Sequence, residues 1–260
     1  MRDIKLVIAT YSILFFSISI WIKIYSYGCI ANLFFLFFLV VIASSFMDIK
    51  VENRNCIKRC YFKENSIFAK ILSSKFFIVI FYLISSLLMS ISMLYTLINI
   101  ENSFWYYIAI HIFLTILIFN ILKISLKKSI KDRFITIFSR EFTINIMAIF
   151  IIVAYVYYSL ESFEPEYLRD SLNDTLQNAS NSIGSECFIT DAIFKFQKEI
   201  ESISWWFVDK NSDQLEQKSY KIAIWLIFIF INSFAMLGIN RFIAQIIYII
   251  DKILQKSKDE

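Results

Sequence analysis

Glycine and proline are almost missing from this chain: three and one in 260 residues. Turn-rich β architectures draw on both, so they are excluded. Charge is thin as well, at 18% of residues, against about 25% in an average soluble domain. Only one histidine occurs, His111, so a zinc site or a catalytic triad lacks its partners. No HExxH, GxSxG or glycine-rich phosphate loop is present, which removes the usual metalloprotease, hydrolase and nucleotide-binding signatures. No catalytic, cofactor-binding or metal-binding residue is therefore assigned, no cofactor is expected, and the protein reads as non-enzymatic.

What the chain has is oil. Hydrophobic residues make up 58% of it and aromatics 18%, and the mean hydropathy is +0.62. One water-soluble core cannot hide that excess, and disorder is incompatible with it. The fold class that follows is all-α, a polytopic transmembrane bundle. A span needs about 20 mostly apolar residues. Six stretches qualify: Leu6–Ile22, Cys29–Met47, Phe76–Ile98, Phe104–Leu122, Thr143–Leu160 and Ile222–Asn240. None contains Asp, Glu, Lys or Arg, and a charge at the bilayer centre costs about 2.5–3.5 kcal/mol even on insertion scales. Leu6–Ile22 is read as an uncleaved anchor, because Lys23 and Tyr25 stand where a cleavage site needs small residues.

The connections sort by charge. Segment 48–75 carries seven bases against three acids, and 123–141 six against two. Both lie on one side if every span crosses. The other side receives 161–221, with twelve acids and six bases. The positive-inside rule then places both termini in the cytoplasm. The Ile-, Phe-, Lys- and Asn-rich composition points to an AT-rich bacterial genome and hence to an inner (cytoplasmic) membrane. Three parts are expected: 1–160, five spans with basic cytoplasmic loops 48–75 and 123–142; 161–221, an acidic extracytoplasmic helical hairpin between spans five and six; and 222–260, span six plus a cytoplasmic or interfacial C-terminal helix.

In the hairpin, Leu168, Leu172, Leu176, Ala179 and Ile183 recur at helical spacing between Pro165 and Gly184. A second helix is expected after an N-cap at Thr190 or Asp191, with Ile193, Phe196, Ile200, Ile203 and Phe207 as its apolar face. Past Asn240 the chain stays apolar to Ile250. A helix from Ile222 to Gln255 exceeds the roughly 30 Å hydrocarbon core, so it either bends into the interface near Gly238 or projects inward and assembles subunits.

Polar residues inside the spans are candidates for helix packing or a pore lining: Ser85, Ser92, Thr96 and Asn99 on one face of the third span, His111 and Thr115 in the fourth, and Asn232 in the sixth. In the largest cytoplasmic loop, Arg54, Lys58, Arg59, Lys63 and Lys70 alternate with apolar residues. Such a stretch suits the anionic leaflet or a cytoplasmic partner protein. Cys29 and Cys187 both fall outside in this topology, where a disulfide would clip the hairpin to the first two spans. Sequence alone does not supply the geometry a disulfide needs.

Three functions fit. The preferred one is an oligomeric, channel-like membrane effector gated by a cytoplasmic partner or signal. It requires polar stripes meeting around an axis and no catalytic group. The second rests on a resemblance. Six spans in this length, a cytoplasmic loop after span two and an outer helical segment before span six resemble the ABC-2 type permeases. The likeness covers the whole topology and no sequence motif, and departs in its short N-terminus and its scarcity of glycine. It implies an exporter subunit whose ATPase docks on the loop around Cys56–Ser74. The third is a structural or immunity-type membrane subunit. The expected partners are the lipid bilayer, further copies of this chain and a cytoplasmic protein, with no direct contact to nucleic acid.

Overall fold

The structure, a computed structural model, describes residues 2–61, 74–161, 165–212 and 218–259; side chains are described for 4–48, 74–132, 134–158, 165–210 and 233–256. The described residues form α-helices and turns only: α1 (Arg2–Ile24), α2 (Ala31–Tyr61), α3 (Lys75–Asn99), α4 (Phe104–Leu126), α5 (Asp132–Glu161), α6 (Leu172–Asn181), α7 (Phe188–Ser212) and α8 (Lys218–Asp259). Six of these are long and apolar enough to cross a membrane: Ile4–Ile24, Ala31–Asp48, Lys75–Asn99, Phe104–Leu126, Phe134–Tyr158 and Ser233–Lys256. Helix is the form that uncharged apolar runs must take in oil, because it satisfies every backbone donor within the segment.

One helix organises the others. α8 packs against α1, α2, α3, α4, α5 and α7. In the best 18-residue stretch of Ser233–Lys256, 72% of residues are buried, against 28–39% in the other five spans. The outer helices turn apolar stripes away from it. On α4, Tyr106, Ile110, Phe113, Leu117, Ile121 and Ile124 are exposed, while Phe104, Ile108, Ile112, Ile116 and Phe119 are buried. Both stripes are oily, so one face suits lipid and the other the protein core. The core itself joins Trp21 and Leu14 of α1, Phe38 and Ile42 of α2, Met93 and Leu97 of α3, and Phe242 and Ile247 of α8.

The register of α8 corrects the expected sixth span. The side chain of Asn240 contacts His111 on α4 and the carbonyl of Ile144 on α5, and Phe242 lies 4.8 Å from Phe38, centroid to centroid. These partners sit well inside their own spans. Asn240 is thus within the bundle rather than at its edge, and the chain from there to Asp251 neither bends away nor projects to a neighbour. Gly238 permits this approach. A Cβ built on it would lie 2.7 Å from the Met89 carbonyl oxygen and 3.1 Å from the Met93 Cβ.

Two loops shrink in the same way. Residues 123–142 are two helix ends around a short turn, because α4 continues to Leu126 and α5 begins at Asp132. The segment after span two stays helical to Tyr61. The side chains of Arg54, Lys58 and Arg59 are not among those described, and Lys63 and Lys70 lie outside the described residues.

At one end of the bundle, α6 and α7 pack on each other around Tyr167, Ala179, Trp205 and Val208. The Ser171 hydroxyl accepts from the Asp174 N–H at 3.1 Å and caps α6. α7 begins at Phe188, ahead of the expected caps. Thr190 is instead buried, donating to Asn32 Oδ1 at 3.0 Å, and Asp191 Oδ1 accepts the Ser185 N–H at 3.1 Å. The Lys195 ammonium, 2.8 Å away, chiefly holds the Asp191 carboxyl below its ordinary pKa. The buried face of α7 is Thr190, Phe194, Lys198, Ser202, Trp205 and Val208; Phe196, Ile203 and Phe207 point outward. The expected face was the more apolar one. On the face that docks, Lys198 reaches Asn99 of α3, while the Ser202 hydroxyl donates to the Glu199 carbonyl of its own helix.

The start of α7 is fixed to the α1–α2 turn. Cys187 is disulfide-bonded to Cys29, with Cα atoms 4.8 Å apart. Glu186 N–H donates to the Ser26 carbonyl at 3.2 Å and Ser185 Oγ to the Tyr25 carbonyl at 2.8 Å.

Candidate functional site

The polar residues of α8 fall on two faces. Asn240 and Asp251 are eleven residues apart, close to three full turns, and share one face; Arg241, Gln245 and Tyr248 occupy the adjoining face at i, i+4, i+7. Around them gathers a buried ladder of polar and charged side chains, running from the middle of the bundle to the end opposite α6 and α7.

The middle rung is His111 and Asn240. Asn240 Nδ2 donates to the Ile144 carbonyl at 2.8 Å, which turns Oδ1 toward His111 Nε2 at 3.2 Å. An acceptor there requires Nε2 to carry the proton, so Nδ1 holds a lone pair. That atom is buried and has no protein partner. Thr115, one turn on, donates to the His111 backbone carbonyl at 2.6 Å.

The next rung is Arg140, which is 0% exposed. Nη1 donates to Asp48 Oδ2 and to Gln245 Oε1, both at 2.8 Å; Nη2 donates to the Ser45 carbonyl and to Glu141 Oε1, both at 3.0 Å. The guanidinium carbon lies 4.7 Å from the Tyr248 ring centroid. One side chain thereby joins α2, α5 and α8. Gln245 Nε2 extends the rung to Ser44 Oγ at 2.9 Å, and Arg241 donates to Ser45 Oγ at 3.2 Å while lying over the Phe46 ring. The planar fork of arginine suits this multiple grip.

The last rung is the ion pair of Lys123 on α4 with Asp251 on α8. Gln255 also donates to Asp251 Oδ2. Asp251 Oδ1 is buried without a partner, and so is Arg140 Nε.

A second polar group lies where α7 covers α3. The hydroxyls of Tyr95 and Tyr167 donate to the Glu201 carboxylate, the latter at 2.9 Å. Lys198 Nζ is 3.7 Å from Glu201 and 4.5 Å from the Tyr167 centroid. Burial, and next the charge of Glu201, push the Tyr167 hydroxyl far above its ordinary pKa, so it remains a donor.

The stripe expected in the third span divides. Ser85 donates to its own helix, at the Phe81 carbonyl. Ser92 receives Gln197, and Asn99 receives Lys198, so α7 occupies that half; Thr96 is half-buried on α3 between them. Asn232 falls among the side chains not described. Among the described residues, no group of three or more His, Cys, Asp or Glu side chains is placed to hold a metal ion. An open cavity of about 340 Å³ lies at the α6–α7 end, lined by Phe15, Ser19, Ile22, Leu97, Asn102 and Trp105 among others.

Sequence reasoning missed Asp48, Lys123, Arg140, Gln245 and Asp251. All five lie outside the six uncharged stretches, within the longer span-length helices. A signal was present in the apolar run after Gly238, where Asn240 and Asp251 recur on one face and Arg241 and Gln245 stand one turn apart. Read as a span, that run asks for partners near the ends of the other spans, where Lys123, Arg140 and Asp48 stand. Comparison with family models, with curated proteins and with solved structures finds no match for this chain.

Proposed function

We propose that the protein is a gated, channel-like ion conductor of a bacterial inner membrane, with its route along the polar faces of α8 and a latch at Arg140. The latch carries the reading. Arg140, fully buried, ties three helices together at the level where α2 runs on into the basic segment. Ionisable groups at membrane depth are costly and mark ion pathways or sensors by default. A purely structural bundle has no need of an arginine, a lysine and an aspartate there, since apolar residues of similar volume are often as stable. Asp48 is the handle: it holds Arg140 and directly precedes the chain expected to bind a cytoplasmic partner. A partner that pulls on that chain draws Asp48 away and frees the guanidinium. The route lies inside a single copy, so conduction requires no ring of subunits.

Two observations support an orientation with α6 and α7 outside. The 161–221 segment is acidic while 48–75 and 123–141 are basic. The Cys29–Cys187 disulfide belongs to an oxidising compartment. In intact cells, a cysteine replacing Ala192 should react with a membrane-impermeant maleimide, and one replacing Lys128 only after permeabilisation. The reverse pattern would overturn the orientation.

Conduction is tested in liposomes. Wild-type protein should hold an ion gradient. Asp48→Asn, which keeps the other Arg140 contacts and so folds, should dissipate it several-fold faster, and Arg140→Gln faster still. Gradients that all three proteins leave intact would refute the channel reading.

A further inference from the structure

Two atoms on the ladder share a property. His111 Nδ1 and Asp251 Oδ1 each carry a lone pair, each is buried, and neither meets a protein donor. His111 reaches α8 through Asn240, and Asn240 and Asp251 lie on the same α8 face. Leaving one such atom unsatisfied costs about 1–3 kcal/mol, and buried polar atoms without protein partners are the places where water enters a core. We propose that these two atoms are successive proton-accepting stations, and that the ion conducted along α8 is H⁺. This rests on the channel reading above and adds the species.

The two ends of the route differ in a way that selects a proton. Between His111 and Asp251 the path has polar side chains at every turn or two: Asn240, Arg140, Gln245 and Lys123. Above His111 it is apolar. Ile108, Phe104, Met93, Leu97, Met236 and Ile239 are buried there. Beyond them opens the 340 Å³ cavity, whose wall shares Leu97 with the apolar zone and includes Trp105 of α4. Trp105 and His111 are six residues apart on one helix, about 9 Å of rise. Hydrophobic constrictions of this kind exclude hydrated ions by dewetting. A proton crosses on a transient file of a few waters, because each water passes on a different proton from the one it receives. A sodium or potassium ion would have to shed its shell.

In this scheme a proton from the cavity side binds the Nδ1 lone pair of His111, the imidazolium gives its Nε2 proton to a transient water beside Asn240, and return of the remaining proton from Nδ1 to Nε2, through water or by ring rotation, resets the site. Asp251 Oδ1 accepts the released proton and returns it to water at the end where α8 finishes. The groups facing these stations are Asn240 and the Ile144 carbonyl at His111, and Lys123 and Gln255 at Asp251.

The test uses Asp48→Asn protein, with its latch open, in liposomes containing a trapped pH dye, with separate K⁺ and Cl⁻ flux assays. Proton flux should appear with K⁺ and Cl⁻ flux at background. Adding Asp251→Asn or His111→Gln should lower proton flux by about 100-fold, the low end of what a positioned proton-transfer group contributes. Asp251→Glu should restore it. An unchanged melting temperature and an intact Cys29–Cys187 disulfide report that the variants fold. K⁺ or Cl⁻ flux matching the proton flux would keep the channel and overturn the proton. Proton flux indifferent to both replacements would overturn His111 and Asp251 as its stations. Asp48→Asn protein that passes no ion at all would overturn both.

Discussion

Arg140→Ala should destabilise the bundle by about 3–5 kcal/mol, the cost of breaking a buried charged network from one side. The reason is what stays behind. Gln245 and the Ser45 carbonyl lose their donors inside the protein, and Asp48 and Glu141 lose their cation. Thermal melting in detergent measures the loss. A triple replacement separates stability from gating: Arg140→Met with Asp48→Leu and Gln245→Leu removes every charged or amide member of the rung except Glu141 and Arg241, which are partly exposed. Stability should return toward wild type, since apolar groups of similar volume often equal a buried pair. Control of ion flux should not return. A triple variant as unstable as Arg140→Ala would mean that shape rather than pairing holds this level together.

Gly238→Leu should prevent α8 from seating against α3, and the protein should fail to yield a folded bundle. The smaller Gly238→Ala should cost about 1–3 kcal/mol by overpacking. The obstacle is the Met89 carbonyl oxygen, 2.7 Å from the position a Cβ would take. A backbone atom within a helix cannot swing aside as a side-chain tip can, so the two helices must separate. Met93→Gly would remove the 3.1 Å neighbour, the Met93 Cβ, and leave the carbonyl in place, so, measured against Met93→Gly alone, it should rescue Gly238→Ala only in part. Full rescue would show that the Met93 side chain, and not the α3 backbone, sets the approach. Melting temperatures of the single and double variants decide this.

The legible part of the candidate site was its least specific part. His111 stood out as the single histidine, yet its partner is Asn240, 129 positions later. Arg140 looked like an ordinary member of a basic loop, because a charge near the end of an apolar run fits equally well in water. Its ties to Asp48 and Gln245 reach 92 and 105 positions along the chain, and no periodicity encodes a pairing between separate helices. The hairpin shows the same limit. The end of α6 just before Gly184 and a second helix near Thr190 were foreseeable, whereas α6 begins at Leu172, past Pro165 and Leu168, because Ser171 caps it there, and the buried face of α7 went to the stripe holding Lys198 and Ser202.

By itself the sequence settled the solvent and the element type: uncharged apolar runs of this length dissolve in a bilayer, and in a bilayer the backbone must satisfy itself as helix. Those follow from composition, residue by residue. The tertiary structure decided which oily face looks inward, where α8 sits and which charges meet. α4 is apolar on both sides, so hydrophobicity could not choose between them. The choice came from fit: a glycine that lets α8 approach α3, and polar groups on other helices that satisfied the few charges carried inside.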